Sequence, residues 1–310
     1  MKKKLKIVVL YGGFSSERKI SLKTGKAVYM NLCKYSDFDV KLLEINKTDC
    51  LKKLLLLKKQ KVDMVFIALH GKFGEDGTLQ SLLDTLKIKY TGSNAISSAI
   101  CLNKHYAKYI FVANKIPTPE WQLLDKNSLN TKLKIRFPVI IKPVDEGSTI
   151  GVSLATNRSE YLEGLKVSFR YSDKVIVEKF IVGREFTVPI LGDKVLPIVE
   201  IIPNLNKFYD FDSKYKKGGS THIIPAKVEK SIYKEMENIA KKAALSVGCE
   251  VMCRVDIILE KNTNKIYVLE INSIPGMTET SLFPESARFF GIDFPQLVRE
   301  IVELSLRKYG

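Results

Sequence analysis

A chain of 310 residues, 45% hydrophobic and 27% charged, has the composition of a soluble globular protein with room for about two or three domains. Its longest apolar stretches, such as 64–69, are far short of the roughly 20 residues that span a bilayer, and the basic start at 1–6 leads through 7–11 into glycines without a signal-peptide pattern; a cytoplasmic protein with no membrane partner is expected. The net charge of +16 raises nucleic-acid binding, yet lysines lie along the whole length in pairs such as Lys52-Lys53 and Lys58-Lys59 at amphipathic spacing, which predicts a solvated surface that attracts anionic substrates and no nucleic-acid partner.

The first ninety residues alternate strand and helix patterns. Strands are predicted at 5–11, 40–45, 62–69 and 88–90, with helices from about Ser16, Cys50 and Thr78 between them. That alternation predicts a parallel α/β sheet with function at the carboxyl ends of its strands, where Gly12-Gly13 and His70-Gly71 fall. A domain boundary is placed near Gly92, and a helix over 94–115 runs until Ile116-Pro-Thr-Pro119 breaks it. Beyond Pro119, strand runs at 139–142, 151–154, 175–178, 186–190 and 195–201 and helix patterns at 159–169, 230–247 and 294–308 predict an α+β arrangement with antiparallel sheets.

Cys33, Cys50, Cys101, Cys249 and Cys253 are an odd number in apolar contexts with no zinc-knuckle spacing, and His70, His105 and His222 stand far from them. Reduced thiols are expected and a zinc site is not.

Four segments carry chemistry. Tyr11-Gly12-Gly13-Phe14-Ser15-Ser16-Glu17-Arg18 follows the first strand; Glu17 there has a helix-dipole explanation, with Ser15 or Ser16 as N-cap. Lys142-Pro-Val-Asp-Glu-Gly-Ser-Thr-Ile-Gly151 joins strand to strand, and its small residues would let backbone N–H groups approach phosphate oxygens beside the Lys142 charge; a plain hairpin turn is the alternative. The strand at 175–178, running into Glu178-Lys179 and turning at Gly183, offers a backbone edge to a planar base, or is simply a strand that ends at the surface. Finally, the runs 251–259 and 266–271 place Arg254, Asp256, Glu270 and Asn272 on one face by strand alternation, with Val255, Ile257, Leu269 and Ile271 on the other. A hairpin centred near Thr263 sets Asp256 opposite Glu270 and Arg254 opposite Asn272. The three oxygen donors would suit Mg²⁺ with bound phosphates; an ordinary half-solvated hairpin is the other reading.

Taken in order, several motifs resemble those of the D-alanine:D-alanine ligase family of the ATP-grasp superfamily. They are Gly12-Gly13 with Ser16-Glu17-Arg18, Ala68-Leu-His-Gly71 with Gly74-Glu-Asp-Gly77-Thr-Leu-Gln80, Lys142-Pro with Glu146-Gly-Ser148, Phe208-Tyr-Asp210 with Lys214-Tyr215, Arg254-Val-Asp256, and Leu269-Glu-Ile-Asn272 with Pro275-Gly-Met277-Thr. The resemblance covers nearly the whole chain. It implies a Rossmann-like α/β domain over 1–92, a central ATP-grasp domain with the phosphate loop over 93–183, and a C-terminal ATP-grasp domain with metal site and lid over 184–310. It further implies ATP-dependent joining of two D-alanines through an acyl phosphate in peptidoglycan precursor synthesis, by a homodimer; another ATP-grasp ligase making an ester or a different dipeptide on the same machinery, such as a D-alanine:D-lactate ligase, is the alternative.

Residue by residue, the resemblance makes Asp256, Glu270 and Asn272 ligands of two Mg²⁺ ions, for which Mn²⁺ could substitute. Lys104, Lys142 and Lys214 would contact ATP phosphates, and Glu178, Lys179, Ile181 and Glu185 would hold adenine and ribose. Arg254, not needed as a structural ion-pair partner, and the backbone N–H of Gly276 would donate to the oxyanion. Glu17, with His70 nearby, would bind the first D-alanine's ammonium, and Ser281 and Leu282 the second substrate's carboxylate. Glu17, Ser148 and Tyr215 would pin a lid at 207–224, with Tyr215 favouring D-alanine as second substrate. Ile274, where relatives have a small polar residue, and the variable stretch 218–222 bear on lid kinetics and second-substrate affinity.

Overall fold

The computed structural model describes residues 3–128, 132–204 and 219–310. In the first ninety residues, strands β1 (Leu5–Gly12), β2 (Phe38–Ile45) and β3 (Met64–Ile67) alternate with helices α1 (Arg18–Leu32), α2 (Cys50–Lys59) and α3 (Thr78–Thr85). The strands form a parallel sheet of order β2-β1-β3, in register Val9↔Leu42 and Val9↔Phe66. Residues Ile7 to Leu10 and Met64 to Ile67 are all buried, because helices cover both faces of a parallel sheet. The expected strand at 88–90 shrinks to one bridge, Val65 to Tyr90.

The expected helix at 94–115 is two helices, α4 (Ala95–Leu102) and α5 (Lys104–Ala113). Asn103 lies between them at φ −85° and ψ 94°, and its side chain accepts from the Tyr106 N–H. A short polar side chain that satisfies the next helix's free N–H competes with continuing the first. The break aims Lys104 at the site.

Two antiparallel sheets follow, so the fold class is the one expected. The first, β4-β7-β5-β6, comprises β4 (Trp121–Asp125), β5 (Val139–Pro143), β6 (Ser153–Ala155) and β7 (Lys174–Lys179). Helix α6 (Arg158–Ser168) packs on it through Tyr161 and Leu165. The second sheet has order β11-β10-β8-β12-β13, with β9 (Lys194–Val195) beside β8 (Gly183–Leu191). Its other strands are β10 (Val199–Pro203), β11 (Ser220–Ile223), β12 (Met252–Glu260) and β13 (Ile266–Asn272). The expected strand at 195–201 thus divides around Leu196 and Pro197. Helix α7 (Lys230–Ser246) backs this sheet together with Phe111 of α5. After α8 (Leu282–Phe289), helix α9 (Phe294–Lys308) returns to pack Leu297, Val298 and Ile301 against Val9 and Val28. No helix among the described residues is long and apolar enough to cross a membrane.

Gly183 marks how tightly the second sheet is built: a Cβ there would lie 2.1 Å from the backbone oxygen of Leu259. Overpacking against backbone cannot be relieved by a rotamer change. Gly183→Ala is therefore expected to cost about 2 kcal/mol, read as a lower thermal midpoint; an unchanged midpoint would contradict this packing.

Candidate functional site

The hairpin β12–β13 brings the polar quartet together in the expected register, Arg254↔Asn272 and Asp256↔Glu270. A bulge then shifts the pairing to Ile257↔Val268. Val268 thereby takes the core position beside Val255, Ile257 and Ile271, while Leu269 turns with Ile258 into a cavity. Leu269 is thus not on the buried face assigned to it by simple alternation, because one extra residue reverses the parity of a strand.

The quartet's charges are compensated internally. Arg254 donates through Nε and Nη2 to both oxygens of Asp256, each at 3.0 Å, and Thr187 Oγ1 donates to Asp256 Oδ1 at 2.5 Å. Glu270 Oε2 lies 3.5 Å from Lys104 Nζ. Arg254 is therefore also an ion-pair partner of Asp256, because two carboxylates set opposite each other need nearby cations. Asn272 Oδ1 accepts from the Ile274 N–H at 3.1 Å.

Two cavities meet at this hairpin. The smaller, about 120 Å³, is bounded by Lys142, Glu178, Ile181, Glu185 and Asp256, with exposed Lys179 at its edge. Ile140, Phe180, Ile258 and Leu269 give it apolar walls. Glu178 bridges Lys142 Nζ at 2.8 Å and Lys108 Nζ at 3.1 Å. Burial would raise the Glu178 carboxyl, but the two ammonium groups outweigh it and hold it below the usual range. Burial likewise lowers Lys142, yet Glu178 and Glu270 raise it overall. Lys108, fully buried and donating to Thr118 Oγ1 at 2.6 Å, is pushed down to about 8, mainly by burial. The result is an apolar-walled slot with fixed cations, suited to an apolar ring joined to an anion.

The larger cavity, about 420 Å³, is lined by Glu17, His70, Ser148, Arg254, Gly276, Ser281 and Leu282. Lys104, Glu146, Gly147 and Glu270 border both cavities. Glu17 occupies the N-cap position of α1, but its side chain does not cap the helix. It turns to the 142–151 loop instead, where Ser148 Oγ donates to Oε1. Its other oxygen is buried without a hydrogen-bond partner. Gly147 permits this approach, since a Cβ there would lie 2.6 Å from Glu17 Oε2. Burial, aided by Glu75, pushes the Glu17 carboxyl up to about 7 against the opposing pull of His70 and Ser148. His70 contacts Thr24 Oγ1 at 2.9 Å and Glu75 at 3.5 Å; burial lowers its imidazole, but Glu75 and Glu17 outweigh that and raise it overall.

Glu146 ties the loop to the first domain through Lys72 at 2.9 Å and Ser16 Oγ at 2.8 Å, and Lys104 Nζ donates to its backbone oxygen at 2.6 Å. Ser281 precedes α8, and its hydroxyl contacts Thr278 Oγ1 at 2.8 Å. From the expected lid, β11 is described: His222 lies on the cavity wall and contacts Glu285 at 2.7 Å. Lys214 and Tyr215 lie outside the described residues.

Sequence reasoning gave no role to Glu75, Lys108, Glu146 or Thr187. Lys108 carried a signal, being four residues after Lys104 on one helix face. Glu75 and Glu146 stood inside quoted motifs; Thr187 becomes visible only once β8 is seen opposite Asp256.

Comparison with known proteins matches residues 108–303 to the family profile described as D-ala D-ala ligase C-terminus and residues 53–93 to D-ala D-ala ligase N-terminus. A D-alanine–D-alanine ligase from Geotalea uraniireducens is 40% identical, over 98% of this chain and 96% of the relative. The solved structure of the D-alanine–D-alanine ligase from Bacillus anthracis complexed with ATP superposes with a TM-score of 0.84 at 32% identity, covering 99% of this chain and 98% of that one. A D-Ala:D-Ser ligase from Enterococcus faecalis has a TM-score of 0.83 at 26% identity, covering 98% and 100%.

Proposed function

The chain belongs to the D-alanine–D-alanine ligase family, and from that premise we propose that its two cavities are the nucleotide and amino-acid halves of one site. The protein is an ATP-dependent ligase that joins two D-alanines through an acyl phosphate. Full-length relatives of about 40% identity favour this reading over ester formation with D-lactate. The observation that carries the site assignment is the shared border: Lys104 and Glu270 face both cavities, where a phosphate and a substrate carboxylate must meet.

ATP would enter the smaller cavity with its base between Ile140, Ile181, Ile258 and Leu269, and its phosphates towards Lys142 and Lys104, joined by Lys214. The unpartnered oxygen of Glu17 would take the ammonium of the first D-alanine, setting its carboxylate against the γ-phosphate. Carboxylate attack gives the acyl phosphate and ADP. The amine of the second D-alanine, held by its carboxylate at Ser281 and Leu282, then attacks the acyl carbon and expels phosphate. Arg254 and the Gly276 N–H would stabilise the tetrahedral oxyanion. Closure by the lid, with Glu17, Ser148 and Tyr215 as its latch, would keep water from the acyl phosphate.

The opposed carboxylates of Asp256 and Glu270 with the Asn272 amide form a hard-oxygen set that fits Mg²⁺ or Mn²⁺, and their present partners are themselves cations, Arg254 and Lys104. When bound, one or two such ions would offset phosphate charge. A cytoplasmic homodimer supplying peptidoglycan precursor, divided at 1–92, 93–183 and 184–310, belongs to the same proposal. Each of the three sheets falls in one of these segments to within a residue.

Incubation with ATP, Mg²⁺ and D-alanine tests the reading: ADP, phosphate and dipeptide should form in equal amounts. ATP hydrolysis without dipeptide, or product only with D-lactate, would refute it. A pH profile tests Glu17. Ammonium binding requires the ionised carboxylate, so kcat/KM for D-alanine should rise with pH and level off above about 7. The stability sign is opposite: a carboxyl raised from 4.5 to about 7 binds more protons folded than unfolded in that window, so stability falls as pH rises across it. Glu17→Gln should abolish both effects; an acid limb that survives the substitution belongs to another group.

A further inference from the structure

Three cysteines come together from α4, the connection after α7, and β12. Cys101 Sγ lies 3.5 Å from Cys249 Sγ, and Ser97 Oγ is 3.9 Å from the same Cys249 sulfur. Hydrogen bonds from Cys101 and Cys253 hold the Cys249 thiol well below its usual range despite burial, and their own thiols are pushed well above it. Gly248 at φ +70° and Val251 at φ +65° bracket the Cys249 connection, and the Glu250 N–H donates to Ser93 Oγ at 3.0 Å. A β-branched residue in the left-handed region persists only where its surroundings enforce it.

The two cysteines line different cavities. Cys249 is half-buried on the wall of a separate cavity of about 260 Å³, which Cys253 and Lys241 also line. Cys101 is buried and forms part of the wall of the substrate cavity. A half-buried thiol on a cavity wall thus sits in contact with a second thiol beside the site.

We propose that Cys249 and Cys101 are an oxidisable dithiol that reacts with hydroperoxides and closes to a disulfide in the wall of the substrate cavity. The Cys249 thiolate attacks a peroxide oxygen and breaks the O–O bond. Cys249 becomes a sulfenic acid, and the departing hydroxide or alkoxide takes a proton from water. The Cys101 sulfur, giving up its proton, attacks the sulfenic sulfur; the S–S bond forms and the hydroxyl leaves with that proton as water. Two thiols lose two electrons, and the hydroperoxide is reduced to water or to an alcohol and water.

Closing the sulfurs from 3.5 Å to about 2 Å pulls on the last turn of α4. Lys104, three residues beyond Cys101, holds the Glu146 backbone and faces Glu270. Displacing it should lower turnover on the order of tenfold.

The test uses the full chain treated with hydrogen peroxide and digested without reduction. Two of the five thiols should disappear into a Cys101–Cys249 linked peptide, turnover should fall about tenfold, and dithiothreitol should reverse both. Cys249→Ser should keep its basal turnover and lose the response, while Cys101→Ser should stop at a sulfenic acid on Cys249 that dimedone traps. Sulfenic acid at Cys33 or Cys50 but not at Cys249, linkage of another pair, or linked protein with full turnover would each overturn the proposal.

Discussion

Arg254→Lys is expected to lower kcat by about 10²-fold while the thermal midpoint stays close to that of the parent. Two tasks fall to this one side chain. Asp256 needs a neighbouring cation, since Glu270 stands opposite it and both its oxygens now take hydrogen bonds from the guanidinium. Lysine retains that charge, so no carboxylate is stranded and folding is spared. What lysine loses is the planar fork, which can hold Asp256 and still aim an N–H at an oxyanion in the larger cavity, where Arg254 is part of the wall. A preorganised donor at such a position contributes about 10²- to 10³-fold in kcat. Steady-state kinetics with calorimetry on one preparation read both quantities. Wild-type turnover in Arg254→Lys would confine Arg254 to its pair with Asp256.

Glu270→Gln is expected to have the second large effect, a fall on the order of 10²-fold in kcat/KM for ATP at low Mg²⁺, with partial recovery as Mg²⁺ is raised. The substitution is isosteric, the side chain is partly exposed, and its ion pair with Lys104, at 3.5 Å, is long. Its removal should therefore cost little stability. A neutral amide remains an oxygen donor but no longer offsets a divalent charge. Turnover that is unchanged at every Mg²⁺ concentration would remove Glu270 from the proposed metal site.

The hairpin shows how much of the site the sequence carried and where it stopped. Four even-numbered polar residues fixed a register that the pairing of Asp256 with Glu270 bears out, because strand parity is a strict period of two. The bulge at Leu269 was not legible: nothing in an apolar run states which residue will be left unpaired, yet that residue supplies a wall of the nucleotide cavity. Charge compensation was equally hidden. A lysine is ordinarily a surface residue, and the burial of Lys108 beside Glu178 follows only when α5 is placed against Thr118 and the strand β7. Asn103 is the converse case. Its identity as a capping residue was readable, but the longer apolar pattern of 94–115 outweighed it, although that break directs Lys104 into the site.

The central claim is that the two cavities form one site in which a D-alanine carboxylate attacks ATP. Turnover of D-alanine labelled with ¹⁸O in both carboxylate oxygens, with mass analysis of the released phosphate, tests it most directly. The account predicts one labelled oxygen in each phosphate released and one retained in the new peptide bond's carbonyl. Unlabelled phosphate accompanying dipeptide formation would contradict it.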